Sequence, residues 1–175
     1  MVISVREIFD RETEGSIQDT LKLFTWESPD KQLVLELPEG FAQLEAEKRE
    51  ESYPSSDRPE IILENVQGKA QLTLKFFRKV MKKEDTGDVI REIRKLTENT
   101  YVQYPNTPSY LYANSEIPVG WFLMYMKDIK KEHIKAVFSI NRQMVLLTLT
   151  YLEKENWKWR TVRDYIFASI KEGIV

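Results

Sequence analysis

The sequence predicts an α+β domain with a central antiparallel β-sheet of about six to seven strands and helices packed on both sides. Three observations predict it. Apolar and polar residues alternate along several short segments, the period of a half-buried strand. Tight turn signals join those segments, so consecutive strands pair antiparallel. Helical patterns fall between groups of hairpins and not after every strand, which argues against a doubly wound parallel sheet. At 175 residues the chain fits one domain and can bury roughly 70% of its unfolded surface.

Residues 1–19 are polar, with Val2, Val5, Ile8 and Phe9 scattered among charges; they read as an N-terminal arm or a short helix ahead of a domain spanning 20–175. Residues 20–26 alternate, with Leu21 and Leu23 on one face. Ser28, Pro29 and Asp30 then form a turn signal, the proline fixing φ. Residues 32–37 alternate again through Leu33, Leu35 and Leu37, completing a hairpin. Residues 41–52 are rich in Ala, Glu, Lys and Gln and predict a weakly amphipathic helix. A loop follows over 53–59, with Pro54 and Pro59, and then two strands, 61–66 and 70–77, around Gly68.

The clearest helix opens at Asp85 and Thr86, either of which can cap its free N–H groups, and runs to about Asn99. Val89, Ile90, Ile93 and Leu96 form its buried stripe. Residues 109–114 predict a short strand and 120–128 a strand covered on both faces. Residues 133–140 place Ile134, Ala136, Phe138 and Ile140 on one face. Asn141 and Arg142 form a two-residue turn into the strand 144–152. A last helix over 156–171, with Asn156 as N-cap, turns Trp159, Val162, Ile166, Ser169 and Ile170 inward.

Scarce residues exclude much chemistry. There is no cysteine and one histidine, so disulfides, thiolate zinc sites, a cysteine nucleophile and multi-histidine metal sites are ruled out. The six glycines are too scattered for a phosphate-cradling glycine loop. The expectation is no cofactor and no metal. A net charge of −2 gives no pull towards nucleic acid. The longest apolar run, 117–126, falls short of the ~20 residues of a membrane span and reads as a core strand. The N-terminus turns charged at once, without the ~7–15 apolar residues of a signal peptide. No membrane insertion and a cytoplasmic location are expected.

Candidate site residues are few. His133 lies beside a lysine-rich turn and reads as a surface or strand-edge histidine. The acidic pairs Glu12/Glu14, Glu45/Glu47 and Glu153/Glu155 read as solvated surface unless a pocket gathers them. Lys75, Arg78, Lys79, Lys82 and Lys83 cluster in one segment. They form either a solvated strand end and loop or a patch for an acidic protein or a phosphate. Tyr101, Tyr104, Tyr110 and Tyr112 fall beside Pro105 and Pro108. Either they cover a sheet edge or they present a partner-binding surface, since tyrosine joins a large apolar body to a polar tip. The tryptophans read as structural, with Trp26 and Trp157 the ones to watch for exposure.

A resemblance accumulates along the chain. Residues 35–41, LELPEGF, resemble the strand-ending L-P-x-G-F/W of PsbP-like domains. Residues 140–150, INRQMVLLTLT, resemble their final hairpin, and 164–171, DYIFASIK, are similar to their closing helix ending in S-I. The resemblance runs from Thr20 to Lys171, with Arg142 where a turn glycine is common and an extra charged segment near 42–60. That superfamily includes photosystem extrinsic proteins, a Ran-binding nuclear-import factor, bacterial lipoproteins and chaperones of secretion effectors. It implies a central antiparallel sheet flanked by helices and a binding role; no functional residue carries over. The expectation is a bacterial, cytosolic, non-enzymatic domain, monomer or homodimer, that binds a protein partner as an adaptor or secretion-chaperone-like module. Two alternatives stay open: a carrier of an apolar ligand beside Trp121, Met124 and Met126, or an enzyme using carboxylates and tyrosines in a deep pocket.

Overall fold

The structure, a computed structural model, describes residues 6–9, 20–65, 67, 69–113 and 116–174. The rest of the arm, with Val2, Val5, Glu12 and Glu14, lies outside the described residues, as do Val66, Gly68 and Asn114. In chain order the elements are β1 (Arg6–Phe9), β2 (Thr20–Glu27), β3 (Leu33–Pro38), β4 (Phe41–Gln43), α1 (Ala46–Ser52), β5 (Ile61–Asn65), β6 (Ala70–Val80), α2 (Thr86–Thr100), β7 (Tyr110–Tyr112), β8 (Val119–Met126), β9 (Lys131–Ile140), β10 (Gln143–Leu152), α3 (Asn156–Ser169) and β11 (Lys171–Glu172).

The central sheet has seven strands in the order β4-β5-β6-β10-β9-β8-β7, each neighbour antiparallel. Its heart is the β8-β9-β10 meander, which the short connections predict. Asn141 and Arg142, at φ 48° and 66°, make the two-residue turn of the β9–β10 hairpin. Period two sorts the side chains. Ile134, Ala136, Phe138 and Ile140 of β9 join Val145, Leu147 and Leu149 of β10 in the main core. The alternate residues, such as Val137 and Met144, face the other way.

Helices cover both faces. On one, α2 sets Ile90 against Met81, Phe122 and Val137, flanked by Val89 and Ile93. The approach is close: a Cβ on Gly120 of β8 would lie 2.8 Å from Ile90 Cβ and 3.1 Å from the Thr86 carbonyl. On the other face, α3 buries the expected stripe, with Trp159, Val162, Ile166 and Ile170 each at most 1% exposed. Each such side chain contributes about 1.5–3 kcal/mol by leaving water. Trp159 stacks on Tyr151 at 6.1 Å and meets Phe41 edge-on at 5.9 Å.

Several expectations are corrected. The β2–β3 hairpin forms, but in a second, four-stranded sheet of order β1-β2-β3-β11. Leu33, Leu35 and Leu37 are fully buried in one cluster with α3 and the central sheet. Part of the arm is a strand and not a helix: β1 pairs with β2 from Arg6↔Leu23 to Phe9↔Thr20 and satisfies its backbone edge. The helix expected over 41–52 begins only at Ala46, because Phe41 is drawn into the core as the first residue of β4, which pairs with β5. Core burial of one aromatic ring outweighs the helix propensity of its neighbours. In α2, Leu96 is 67% exposed while Thr97 is 3% exposed. Thr97 fits the close helix–sheet contact, its hydroxyl donating to the Ile93 carbonyl at 2.8 Å. Neither helix start is capped as expected: the cap positions, Asp85 and Glu155, make no side-chain cap hydrogen bond. Thr86 donates back to the Lys83 carbonyl at 2.7 Å, and the Asn156 amide donates to Glu132 at 3.5 Å. Among the tryptophans, Trp157 is the exposed one, at 44%.

Candidate functional site

Four backbone segments meet at the end of the β9–β10 hairpin. The chain leaving β6 crosses it: Met81 N–H donates to the Arg142 carbonyl at 2.9 Å, and Ser139 Oγ donates to the Met81 carbonyl at 2.5 Å. This crossing sets Lys82 and Lys83, the latter opening the single 3-10 turn before α2, beside the hairpin turn. From the β2–β3 turn, Gln32 accepts the Asn141 side-chain amide at 3.3 Å and the Gly173 N–H at 2.8 Å. The result is a cleft of about 600 Å³, lined by Lys82, Lys83 and Arg142, by Ser139 and Asn141, and by the carboxylates Glu84 and Glu172.

Charge dominates this cleft. Its lining carries three cations against two carboxylates. One carboxylate is engaged: Glu172 Oε1 accepts the Asn141 N–H at 3.0 Å and lies 3.9 Å from Lys83 Nζ. Lys82 and Arg142 pair with no carboxylate among the described residues, and both are exposed. At the C-terminal end of β6, Arg78 and Lys79 are also exposed, outside the lining of the cleft. Lys75 stands apart from this group. Its ammonium is bound by the Asp57 carboxylate at 2.7 Å and the Asp57 carbonyl at 2.8 Å, and sits 5.4 Å from the Phe77 ring centroid. The sequence cluster is therefore split: Lys82 and Lys83 share the cleft, Arg78 and Lys79 lie exposed on β6 outside its lining, and Lys75 holds a loop. Arg142, Asn141 and Glu172 complete the site from far along the chain. The one local signal for them is an arginine where the turn favours glycine.

The tyrosines are split as well. Tyr101 and Tyr104 follow α2 and stack at 6.3 Å. Tyr104 donates to Asp128 at 3.1 Å, which raises the pKa of its phenol. Lys135 lies 5.9 Å from the Tyr101 ring and donates to Thr97 Oγ1 at 3.3 Å; burial lowers the pKa of its ammonium. Tyr110 and Tyr112 alternate along β7 and turn to the opposite face. There Tyr110 meets Trp121 at 4.9 Å and Tyr112 meets Phe167 at 5.9 Å. Arg163 lies 4.2 Å over the Trp121 ring. Tyr110 remains 44% exposed and Tyr101 41% exposed despite these contacts, while Tyr104 and Tyr112 are half-buried.

The two groups most suited to acid–base work are engaged within the fold, His133 half-buried and Glu132 buried. His133 Nδ1 and Thr150 Oγ1 are 2.7 Å apart across the β9–β10 pair. Burial, with a smaller contribution from Lys135, lowers the histidine pKa to about 3, so the ring is neutral. Glu132, 1% exposed, accepts from Tyr151 at 2.8 Å and from Arg160 at 2.9 Å, which ties α3 to the sheet. Burial and the Glu132 hydrogen bond raise the pKa of the Tyr151 phenol. Among the described residues no group of three or more His, Cys, Asp and Glu side chains is placed to hold a metal ion. No helix of the described residues is long and apolar enough to cross a membrane.

Two sheets, with α2 on one face and α3 on the other, define the class: the chain has a PsbP-like fold. It is similar to the solution structure of cyanobacterial PsbP (CyanoP) from Synechocystis sp. PCC 6803, with a TM-score of 0.63 at 10% identity, covering 86% of this chain and 92% of that one. It is also similar to LpqN, involved in cell envelope biogenesis of Mycobacterium tuberculosis, with a TM-score of 0.52 at 10% identity over 88% of this chain and 92% of that one. A third structure, from Bacteroides thetaiotaomicron VPI-5482, aligns with a TM-score of 0.50 at 10% identity over 86% of this chain and 48% of that one. No protein-family model and no curated protein sequence matches the chain. At this identity the likeness concerns the fold.

Proposed function

We propose that this chain is a non-enzymatic binding domain that recognises an acidic segment of a protein partner. One observation carries the reading: Lys82, Lys83 and Arg142 are gathered by the fold around one cleft. In a protein of net charge −2 such a local excess of cations steers and holds an acidic surface. The non-enzymatic part of the reading is supported by the internal engagement of the acid–base groups: His133 is neutral against Thr150, and Glu132 is held by Arg160 and Tyr151. Of the apolar strand that suggested a carrier, Phe122, Leu123 and Met124 are packed in the core, at most 3% exposed, and Trp121 and Met126 are half-buried.

The test is affinity capture with the wild-type chain, the charge-reversed Lys82→Glu/Lys83→Glu variant, and Lys95→Glu as a control on the outer side of α2. The expected result is a set of acidic proteins retained by wild type and control and lost from the double variant. An identical set on all three, or a retained set without acidic character, overturns the proposal.

A further inference from the structure

The cationic cleft already holds a carboxylate, and the way it is held points to the ligand. Glu172 is delivered by β11, which pairs with β3 only through Lys171↔Val34 and Glu172↔Leu33. The next residue, Gly173, lies so close to the β2–β3 turn that a Cβ would run into the Lys31 carbonyl. The tether is therefore short, and the Glu172 side chain stays 37% exposed at the cleft. Its Oε1 takes the Asn141 N–H, a donor fixed by the hairpin turn, and faces the Lys83 ammonium. Lys82 and Arg142 stand beside it without a carboxylate of their own among the described residues. A rigid N–H with ammonium and guanidinium groups around it is what an external carboxylate needs.

The turn explains how one of these cations is placed. Arg142 holds φ at 66°, a left-handed conformation that strains a residue with a Cβ. Glycine would take that conformation freely. Lys31, Lys69 and Lys130 hold the same conformation away from the cleft, so what matters at Arg142 is that its turn places a guanidinium in the cleft lining.

We infer, building on the binding role proposed above, that this cleft is a carboxylate-binding site occupied by Glu172 in the free chain, and that an aspartate or glutamate of the partner replaces it. Glu172 is then an internal competitor, and the unpaired cations give the incoming segment its advantage.

The experiment measures a fluorescein-labelled oligoglutamate peptide by fluorescence anisotropy at low ionic strength. Glu172→Gln keeps the side-chain shape and removes the competing charge; it is expected to bind about fivefold more tightly than wild type, the scale of one exposed ion pair. Arg142→Gly is expected to bind several-fold more weakly while its melting temperature stays level or rises, which separates lost recognition from lost folding. Added salt is expected to weaken every complex. If Glu172→Gln binds no more tightly while Lys82→Glu/Lys83→Glu abolishes binding, the internal-competitor inference fails and the acidic-partner reading stands. If no variant binds the peptide, both fail. Displacement of the peptide by inorganic phosphate at concentrations far below those of free glutamate would assign the site to phosphate and overturn the carboxylate assignment.

Discussion

The lone histidine makes the pH dependence of stability unusually clean. His133 points from β9 onto the face shared with α2, across from Thr150 of β10 and Met124 of β8, with Lys135 two residues along. Its folded pKa is about 3, against an ordinary 6.5, chiefly because burial disfavours the charged ring. Between those values the unfolded chain binds a proton that the folded chain refuses. The stability is therefore full above about pH 6.5 and is lost as pH falls towards 3. The limiting slope is about 1.4 kcal/mol per pH unit, so about 2 kcal/mol is lost between about pH 7 and about pH 5. Carboxylates that titrate lower do so in wild type and variant alike. His133→Gln keeps a partner for Thr150 and cannot titrate. Urea unfolding followed by tryptophan fluorescence is expected to show wild type losing about 2 kcal/mol more than His133→Gln over that interval. Parallel pH profiles for the two proteins would refute the neutral imidazole. An imidazole proton resonance that titrates near the ordinary value would refute it too.

Four further outcomes follow from the packing. Gly120→Ala forces its Cβ onto Ile90 and the Thr86 carbonyl and is expected to destabilise by about 1–3 kcal/mol, read by chemical denaturation; an unchanged midpoint would mean that α2 stands further from β8. The Glu132–Arg160 pair should be asymmetric. Arg160→Met strands a carboxylate that is 1% exposed and is expected to cost about 3–5 kcal/mol, whereas Glu132→Gln leaves an arginine that can turn to water and is expected to cost about 1–3. Equal losses would deny the burial of Glu132. Gly173→Ala is expected to release β11 from β3, seen as faster amide exchange at Lys171, and to raise oligoglutamate affinity as Glu172→Gln does. Arg142→Gly is expected to stabilise by about 1 kcal/mol in the same unfolding assay, because the left-handed strain is relieved; a loss of that size would show the turn relying on the arginine.

The fold was legible wherever one residue period met one buried face. The alternation of Ile134, Ala136, Phe138 and Ile140, and the helical spacing of Trp159, Val162 and Ile166, read directly as core. Legibility failed where an element's place is decided by a distant partner. The second sheet closes on a two-residue strand, Lys171–Glu172, too short to leave a pattern. Its other edge is Arg6–Phe9, in a segment whose charges read as an arm. Phe41 sits in a run of helix formers and is claimed by Trp159, more than a hundred positions away. Leu96 completes a helical stripe on paper, but at the close approach of α2 to the sheet it is Thr97 that is buried.

Site residues fail to be legible for the same reason, and more severely. Nearness in sequence placed five cations together, and the alternation of β6 with the crossing of its exit loop then parted them: Lys75 is bound to Asp57, while Lys82 and Lys83 reach the cleft. Nearness also joined four tyrosines, which the fold sends to opposite faces of the sheet edge. The residues that complete the cleft, Arg142 and Glu172, come from a turn and a terminal strand thirty positions apart. Only the turn left a trace in the sequence. A two-residue hairpin asks for positive φ at both positions, and glycine supplies it at no strain. Arginine there is a local inconsistency, and inconsistencies between local preference and fold concentrate where a residue is used for something besides folding. One of the departures that set this chain apart from its resemblance to PsbP-like domains, Arg142, thus lies at the position where the structure places a cation in the cleft.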